Sequence, residues 1–194
     1  MKILSFVDLH GDILALKHII TEAKKADMVV CAGDISNFEQ NLKRLISQLA
    51  STGKPTIMVH GNHESAELLK EICDQYDNMI FLHAGVFQAN GISFIGFGGG
   101  GFSKVDKEFE RFAAKASNHL KGKIVLVTHA PPYKTMLDNI NGEPCGNKSI
   151  RNFIMKERPK LAVCGHLHEN AGLEDFIGPT RIINPGKKGK MVNL

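Results

Sequence analysis

Six times in this chain an apolar run of strand-like composition ends in a short polar cluster, and this recurrence restricts the possible folds more than any other feature. Ile3–Val7 leads to Asp8-Leu9-His10, Met28–Ala32 to Gly33-Asp34, and Thr56–Val59 to Gly61-Asn62-His63-Glu64. Ile124–Thr128 leads to His129, Leu161–Cys164 to Gly165-His166-Leu167-His168, and Arg181–Ile183 to Asn184-Pro185-Gly186. In open sheets of parallel strands, ligand-bearing groups collect just beyond the carboxyl ends of the strands. The six clusters are therefore expected along one rim of a sheet, where carboxylate, amide and imidazole groups suit borderline or hard divalent ions.

Between the clusters, the first half alternates short β-rich runs with helical patterns. Strands are predicted near Lys2–Val7, Met28–Ala32 and Thr56–His60, and helices near Asp12–Lys25, Glu39–Ser51 and Glu64–Asp74. In the first helix Ile13, Leu16, Ile19, Ile20 and Ala23 recur at helical spacing while Lys17, Glu22, Lys24 and Lys25 face outward. Such βαβ crossovers impose parallel pairing. From residue 79 the pattern shifts to short runs at Met79–His83, Val86–Ala89 and Ile92–Phe97, with a hairpin signal at Asn90-Gly91, which predicts a second, partly antiparallel sheet. Further helices are expected over Asp106–Leu120 and Asn147–Glu157, the latter capped by Asn147 and stopped by Pro159. Tyr133–Gly146 is the longest irregular stretch, and loops of that length usually carry function.

A chain of 194 residues, 43% of them apolar, can bury one full core, and residues 1–194 are read as a single domain. A net charge of +4 is too small to indicate a nucleic-acid surface. The apolar run at the N-terminus is too short for a signal-peptide core or a membrane span, so a cytoplasmic protein without membrane attachment is expected. Cys31, Cys73, Cys145 and Cys164 have neither metal-cage nor disulfide spacing, and Cys31 and Cys164 are expected as buried strand residues.

Asp8 and His10 are two residues apart, as are His166 and His168, so each pair can reach one ion from a strand end. Together with Asp34, Asn62 and His129 they make seven groups, too many for one catalytic metal and about right for two that leave room for water and substrate. Five of the nine histidines fall within the ordered clusters, which argues against chance.

In this order, Asp8-x-His10, Gly33-Asp34, Gly61-Asn62-His63-Glu64, His129 and Gly165-His166-x-His168 resemble the signature of calcineurin-like metallophosphoesterases. Thr128-His129-Ala130-Pro131-Pro132, Cys164–Glu169 and Asn184-Pro185-Gly186 look similar to a small, single-domain, Icc-related group within that superfamily. The resemblance implies an α/β (α+β) fold, a four-layer αββα sandwich with two mixed β-sheets. It assigns Asp8, His10 and His168 to one ion and Asn62, His129 and His166 to the other, with Asp34 bridging. A shared carboxylate would hold two cations roughly 3.5 to 4 Å apart, the separation suited to in-line displacement at phosphorus by a bridging hydroxide. His63 is then the candidate catalytic residue that steadies the transition state or protonates the leaving oxygen. Manganese is the first expectation for the metals, with iron, zinc, nickel and cobalt also compatible.

The expected activity is hydrolysis of a small phosphate ester, nucleotides among the candidates, with a phosphodiester favoured over a phosphomonoester. Phosphoprotein phosphatases of the superfamily carry an arginine-containing continuation after Gly-Asp, whereas Asp34 is followed here by Ile35-Ser36-Asn37-Phe38. Nucleases usually add a capping domain, for which no segment is long or basic enough. The alternative is a non-catalytic scaffold, against which the complete ligand set weighs. Among neighbouring residues, His60 is a candidate to hydrogen-bond the centre, and Glu64 is expected mainly as an acid at a helix start, with ligand orientation the lesser alternative. Glu169 carries the same ambiguity. Gly98–Gly101 is expected as a flexible turn in preference to a phosphate-facing loop, Lys148 and Arg151 as a solvated face or as contacts to a substrate phosphate, and Gly186–Lys190 as a turn; Asn184 suits its tight turn and is also compatible with a contact to the metal shell.

Overall fold

Helical crossovers give the first sheet its parallel order. In the computed structural model, which describes residues 1–194, β1 (Lys2–Phe6), β2 (Met28–Cys31), β3 (Thr56–Met58) and β4 (Met79–Phe81) pair in parallel and in sequence order. The crossovers are α1 (Ile13–Ala23), α2 (Leu42–Ala50) and α3 (Ala66–Cys73). The second sheet starts with β5 (Gly85–Ala89) and β6 (Ile92–Phe97), an antiparallel hairpin turned by Asn90 and Gly91, both at positive φ as the tightest hairpin turn requires. After α4 (Lys107–Ala116), β7 (Lys123–Thr128) pairs in parallel with β6. A small hairpin, β8 (Asn139–Ile140) with β9 (Glu143–Pro144), precedes α5 (Lys148–Glu157). The sheet is completed by β10 (Leu161–Val163), β11 (Glu174–Ile177) and β12 (Thr180–Ile183), in the order β11-β12-β10-β7-β6-β5. The last strand, β13 (Lys190–Asn193), returns to the first sheet antiparallel to β1.

Period-two alternation distributes the strand residues among three cores. Between the sheets lie Ile3, Val7, Met28, Val30, Val125, Val127, Leu161 and Val163. Their alternates in the first sheet, Leu4, Phe6, Val29 and Cys31, pack with Leu16, Ile19, Leu45 and Leu49 of α1 and α2. Those in the second sheet, Leu126, Ala162 and Ile182, pack with Phe109 of α4 and Phe153 and Ile154 of α5. The result is the expected four-layer αββα sandwich with two mixed sheets. Cys31 and Cys164 are buried, as their neighbours in sequence predicted. No helix is long and apolar enough to cross a membrane.

Several boundaries differ from the sequence expectation. Met79–Phe81 closes the first sheet instead of opening the second, because α3 carries the chain back to the parallel edge beside β3. Helix α2 starts at Leu42, not Glu39, since Phe38, Glu39 and Asn41 all adopt left-handed backbone. Helix α5 begins with Asn147 accepting from the Ile150 N–H and ends at a left-handed Arg158 before Pro159, as expected.

The long Tyr133–Gly146 excursion is organised from within by Asp138. Its fully buried carboxylate accepts from the backbone N–H groups of Lys134, Thr135 and Gly146 at 2.8 to 2.9 Å. Asp138→Ala leaves two buried donors, Thr135 and Gly146, and the partly buried Lys134 N–H without that acceptor, each buried one worth about 1–3 kcal/mol unsatisfied. After relaxation and water entry, a net loss of about 2–3 kcal/mol is expected in chemical denaturation, with Asp138→Asn recovering part of it. A loss below about 0.5 kcal/mol would show that the loop does not depend on this carboxylate.

Candidate metal centre

The carboxyl ends of β1, β2, β3, β7 and β10 meet where the two sheets stack, and loops from both sheets interlock there. Backbone bonds fix the meeting: Asp8 N–H donates to Gly33 O, His10 N–H to Asp34 O, and Gly165 N–H to His129 O. Three glycines permit this approach. A methyl on Gly61 would overlap the Asp34 carboxylate, one on Gly33 would come within 2.9 Å of His129 Nδ1, and one on Gly165 would strike the Val7 side chain.

Asp8, His10, Asp34 and His166 all adopt positive φ, between 46° and 71°. Such backbone costs of order 1–3 kcal/mol per non-glycine residue and persists only where the surroundings enforce it. The Asp8/His10 pair therefore converges through two left-handed residues beyond β1, and not through the alternation of a continuing strand.

The seven candidate ligands form two groups around Asp34. On one side, His10 Nε2 and His168 Nε2 face each other at 2.8 Å, and Asp8 Oδ1 is 3.9 Å from His168 Nε2. On the other, Asn62 Oδ1 is 3.0 Å from His129 Nε2 and 2.9 Å from His166 Nδ1. Asp34 Oδ2 lies between the groups, 3.7 Å from His10 Nε2 and 3.4 Å from His129 Nε2. His63 approaches the same point: its backbone N–H donates to Asp34 Oδ1 at 3.0 Å, and its ring sits edge-on to His10 and against Phe38.

This constellation fits divalent cations. Lone pairs converge in sets of three within a metal's reach, at Asp8/His10/His168, at His10/Asp34/His63 and at Asp8/Asp34/His129. Asp8 Oδ2, His63 Nδ1 and His166 Nε2 are buried without a hydrogen-bond partner, the condition in which polar atoms call for an ion or water. His129 Nδ1–H donates to the Ala32 carbonyl at 2.9 Å, the tautomer that presents Nε2 to a metal.

Charge within the cluster follows burial and proximity. Burial holds the His166 imidazole at about 4, helped by the nearby His129, and burial likewise lowers His10 against the pull of Asp34, so both rings are neutral electron-pair donors near pH 7. Burial pushes the Asp34 carboxyl up, but the hydrogen bond and charge of His129 more than offset it and hold the group at about 2. The same pairing raises His129 despite its burial. Burial raises Asp8, only partly opposed by His129 and His168.

Residues beside the cluster depart from expectation in instructive ways. Glu64 precedes α3 and is buried; its carboxylate accepts from Asp34 N–H (3.1 Å), Ser36 N–H (2.8 Å), Ser36 Oγ–H (2.9 Å) and Gly61 N–H (3.2 Å). It ties together the Asp34 and Asn62 loops, so the helix-start expectation gives way to loop anchoring. His60 braces the Gly61 carbonyl at 2.9 Å and faces His83 at 3.2 Å, without touching a candidate ligand's side chain. Gly98 and Gly99 are required by packing, because a methyl on Gly98 would collide with His60 at 2.5 Å and one on Gly99 would approach its ring at 3.0 Å. Phe102, which follows them, rests edge-on against His166. Asn184 is buried and donates to the Leu167 carbonyl at 3.2 Å, supporting the His166/His168 loop from behind. Arg151 pins the Tyr133 and Lys134 carbonyls, Lys148 lies over the Tyr133 ring, and Glu169 is exposed. Lys187 pairs with Asp12.

Comparison with known proteins agrees with this architecture. Residues 1–170 match the model of the calcineurin-like phosphoesterase family. An uncharacterized protein of Methanocaldococcus jannaschii is 34% identical over 99% of this chain and 91% of its own length. The "Probable glycerophosphodiester phosphodiesterase GpdQ" of Arcobacter nitrofigilis is 28% identical over 84% of this chain, which spans 64% of that relative. Among solved structures, TT1561 of Thermus thermophilus superposes with a TM-score of 0.80 over 99% of this chain and 98% of that one, at 16% identity, a likeness of fold. With the family model covering most of its length and its strand-end clusters gathered at one point, the chain belongs to the calcineurin-like phosphoesterases.

Proposed function

We propose that this chain, acting as one domain over residues 1–194, is a metal-dependent phosphodiesterase that uses two divalent ions, manganese foremost. The observation that carries the proposal is the double convergence about Asp34, with Asp8, His10 and His168 on one side and Asn62, His129 and His166 on the other. When bound, such an ion pair supplies a nucleophilic hydroxide near neutral pH and neutralises charge growing on the phosphoryl oxygens.

The chain's own contribution is orientation and proton transfer. The Asp34 carboxylate divides the site and is itself fixed by the His63 backbone N–H. The His63 ring is held between Phe38 at 4.2 Å and His10 at 4.7 Å, with its backbone N–H on Asp34, a placement beside the centre that suits delivery of a proton to the departing alkoxide. Phe38 and Phe102, both more than half exposed, flank the centre on the His63 and His166 sides. Apolar flanks on two sides suit a phosphorus carrying two organic arms, and the phosphodiesterase named among the relatives supports the same preference.

The test is turnover of bis(p-nitrophenyl) phosphate and p-nitrophenyl phosphate by the manganese-loaded protein, the diester being the better substrate. His63→Ala is expected to lower kcat about 100- to 10,000-fold for a diester with an alkoxide leaving group, and far less for p-nitrophenyl esters, whose leaving group departs without a proton, while metal content stays unchanged. Loss of a metal from His63→Ala would make it a ligand, a role its proximity to His10 and Asp34 also permits. Two bound metals with no turnover of any phosphate ester would instead favour the non-catalytic scaffold.

A further inference from the structure

Beside His10, on the side away from the second sheet, the surface opens into a cavity of about 220 Å³ whose walls carry polar groups that nothing in the chain engages. Arg44, on the first turns of α2, is exposed and makes no side-chain hydrogen bond or ion pair within the chain, and the exposed side-chain amides of Asn37, Gln40 and Asn41 are equally free of intrachain partners. Ile13 and Leu45 supply an apolar floor. No carboxylate lines the cavity. The nearest acids in sequence are committed elsewhere: Glu39 accepts from the Ser65 N–H and hydroxyl at 2.9 and 2.7 Å, and Asp12 caps α1 and pairs with Lys187. The result is an unneutralised guanidinium among amide donors, adjoining a ring of the proposed metal centre.

The wall is also held in a costly shape. Phe38, Glu39 and Asn41 all have positive φ, each at about 1–3 kcal/mol for a non-glycine residue. The segment is kept there by Ser36 Oγ, which accepts from the Glu39 N–H, by Glu39 on Ser65, and by Phe38 against His63. This arrangement aligns Asn37, Gln40 and Asn41 along one wall, with Arg44 one helical turn beyond.

The geometry points to a subsite in this cavity for a second phosphate group, carried on one arm of the phosphodiester. Arg44 provides the planar, permanently charged fork that recognises phosphate by paired hydrogen bonds, the amides complete its shell, and the apolar floor accepts a short alkyl arm. The inference takes its substrate class from the phosphodiesterase proposal, and two measurements separate the fate of each.

The first compares p-nitrophenyl 3-phosphopropyl phosphate with p-nitrophenyl 3-hydroxypropyl phosphate, following p-nitrophenolate release by the manganese-loaded protein. The phosphorylated diester is expected to be favoured roughly 10- to 100-fold in kcat/KM, mostly through KM, as fits a charge-assisted contact. In Arg44→Gln the ratio falls to near one, and in Arg44→Lys part of it returns. A native ratio near one, or a preference that survives Arg44→Gln, overturns the subsite while leaving the hydrolase proposal standing. The second measurement needs no turnover: in the diamagnetic zinc-loaded protein, propane-1,3-diol bisphosphate shifts the side-chain amide NMR signals of Gln40 and Asn41, and propyl phosphate does not. Equal responses to both compounds, or none, overturn the subsite. Bisphosphate-specific shifts that vanish in Arg44→Gln, in a protein that hydrolyses no ester, support the subsite and reject the phosphodiesterase proposal.

Discussion

Asp34→Ala is expected to reduce turnover of phosphate esters to background and to remove at least one of the two metals proposed for the centre. Asp34 Oδ2 stands between the two groups of candidate ligands, within 3.7 Å of His10 on one side and 3.4 Å of His129 on the other. Its removal takes away the shared negative charge that would let two cations lie close together. Stabilisation of phosphoryl charge by paired metals supplies several kcal/mol, and about 1.4 kcal/mol is tenfold in rate, so a loss of about 10³-fold or more follows. Asp34→Asn separates geometry from charge, since an amide oxygen still accepts the His63 N–H while the carboxylate's charge is lost. Metal content by mass spectrometry of the native and variant proteins, alongside kcat/KM, decides the matter. Retention of both metals and of activity in Asp34→Ala would remove the bridging role.

The site was far more readable from sequence than the scaffolding that holds it. Asp8, His10, Asp34, Asn62, His129, His166 and His168 could be picked out because each follows an apolar run, and the period-two burial that makes a strand also locates its end. The structure gathers all seven, with His63 beside them. The left-handed backbone of Asp8, His10, Asp34 and His166 is compatible with residue types enriched there but is not fixed by them, because those positions are dictated by contacts between strands distant in sequence. Asp138 was hidden for a related reason. Its three partners are backbone N–H groups within an irregular loop, and a backbone donor has no letter of its own. The same holds for β4, whose three residues carry no signal of which sheet they join until α3 has been placed.

Glu64 is the sharpest case, and its two interpretations predict different numbers. An acid that only complements the dipole of α3 from its exposed start contributes about 0.3–1 kcal/mol, which for a chain of this size means a fall of a few degrees in Tm at most when it is removed. The buried carboxylate instead accepts from three backbone N–H groups and one hydroxyl, in the loops that carry Asp34 and Asn62. Burial, helped by the nearby Asp34 charge, raises its pKa even though the Ser36 and Gly61 donors act to lower it. Glu64→Ala strands these donors at about 1–3 kcal/mol each, and after partial rehydration a net loss of about 3–5 kcal/mol is expected, or about 10 °C in Tm. Glu64→Gln keeps one carbonyl oxygen but turns an NH₂ toward N–H donors, so it should recover only part of the loss. Because the anchored loops carry candidate ligands, both variants should also weaken metal binding by about 10- to 100-fold, the usual effect of removing a group that orients ligands. A drop in Tm of only about 2 °C with unchanged metal affinity would return Glu64 to the helix dipole and leave the Asp34 loop to be held by the His63 N–H, its backbone bonds to the Asp8–His10 segment and the Gly33 and Gly61 packing.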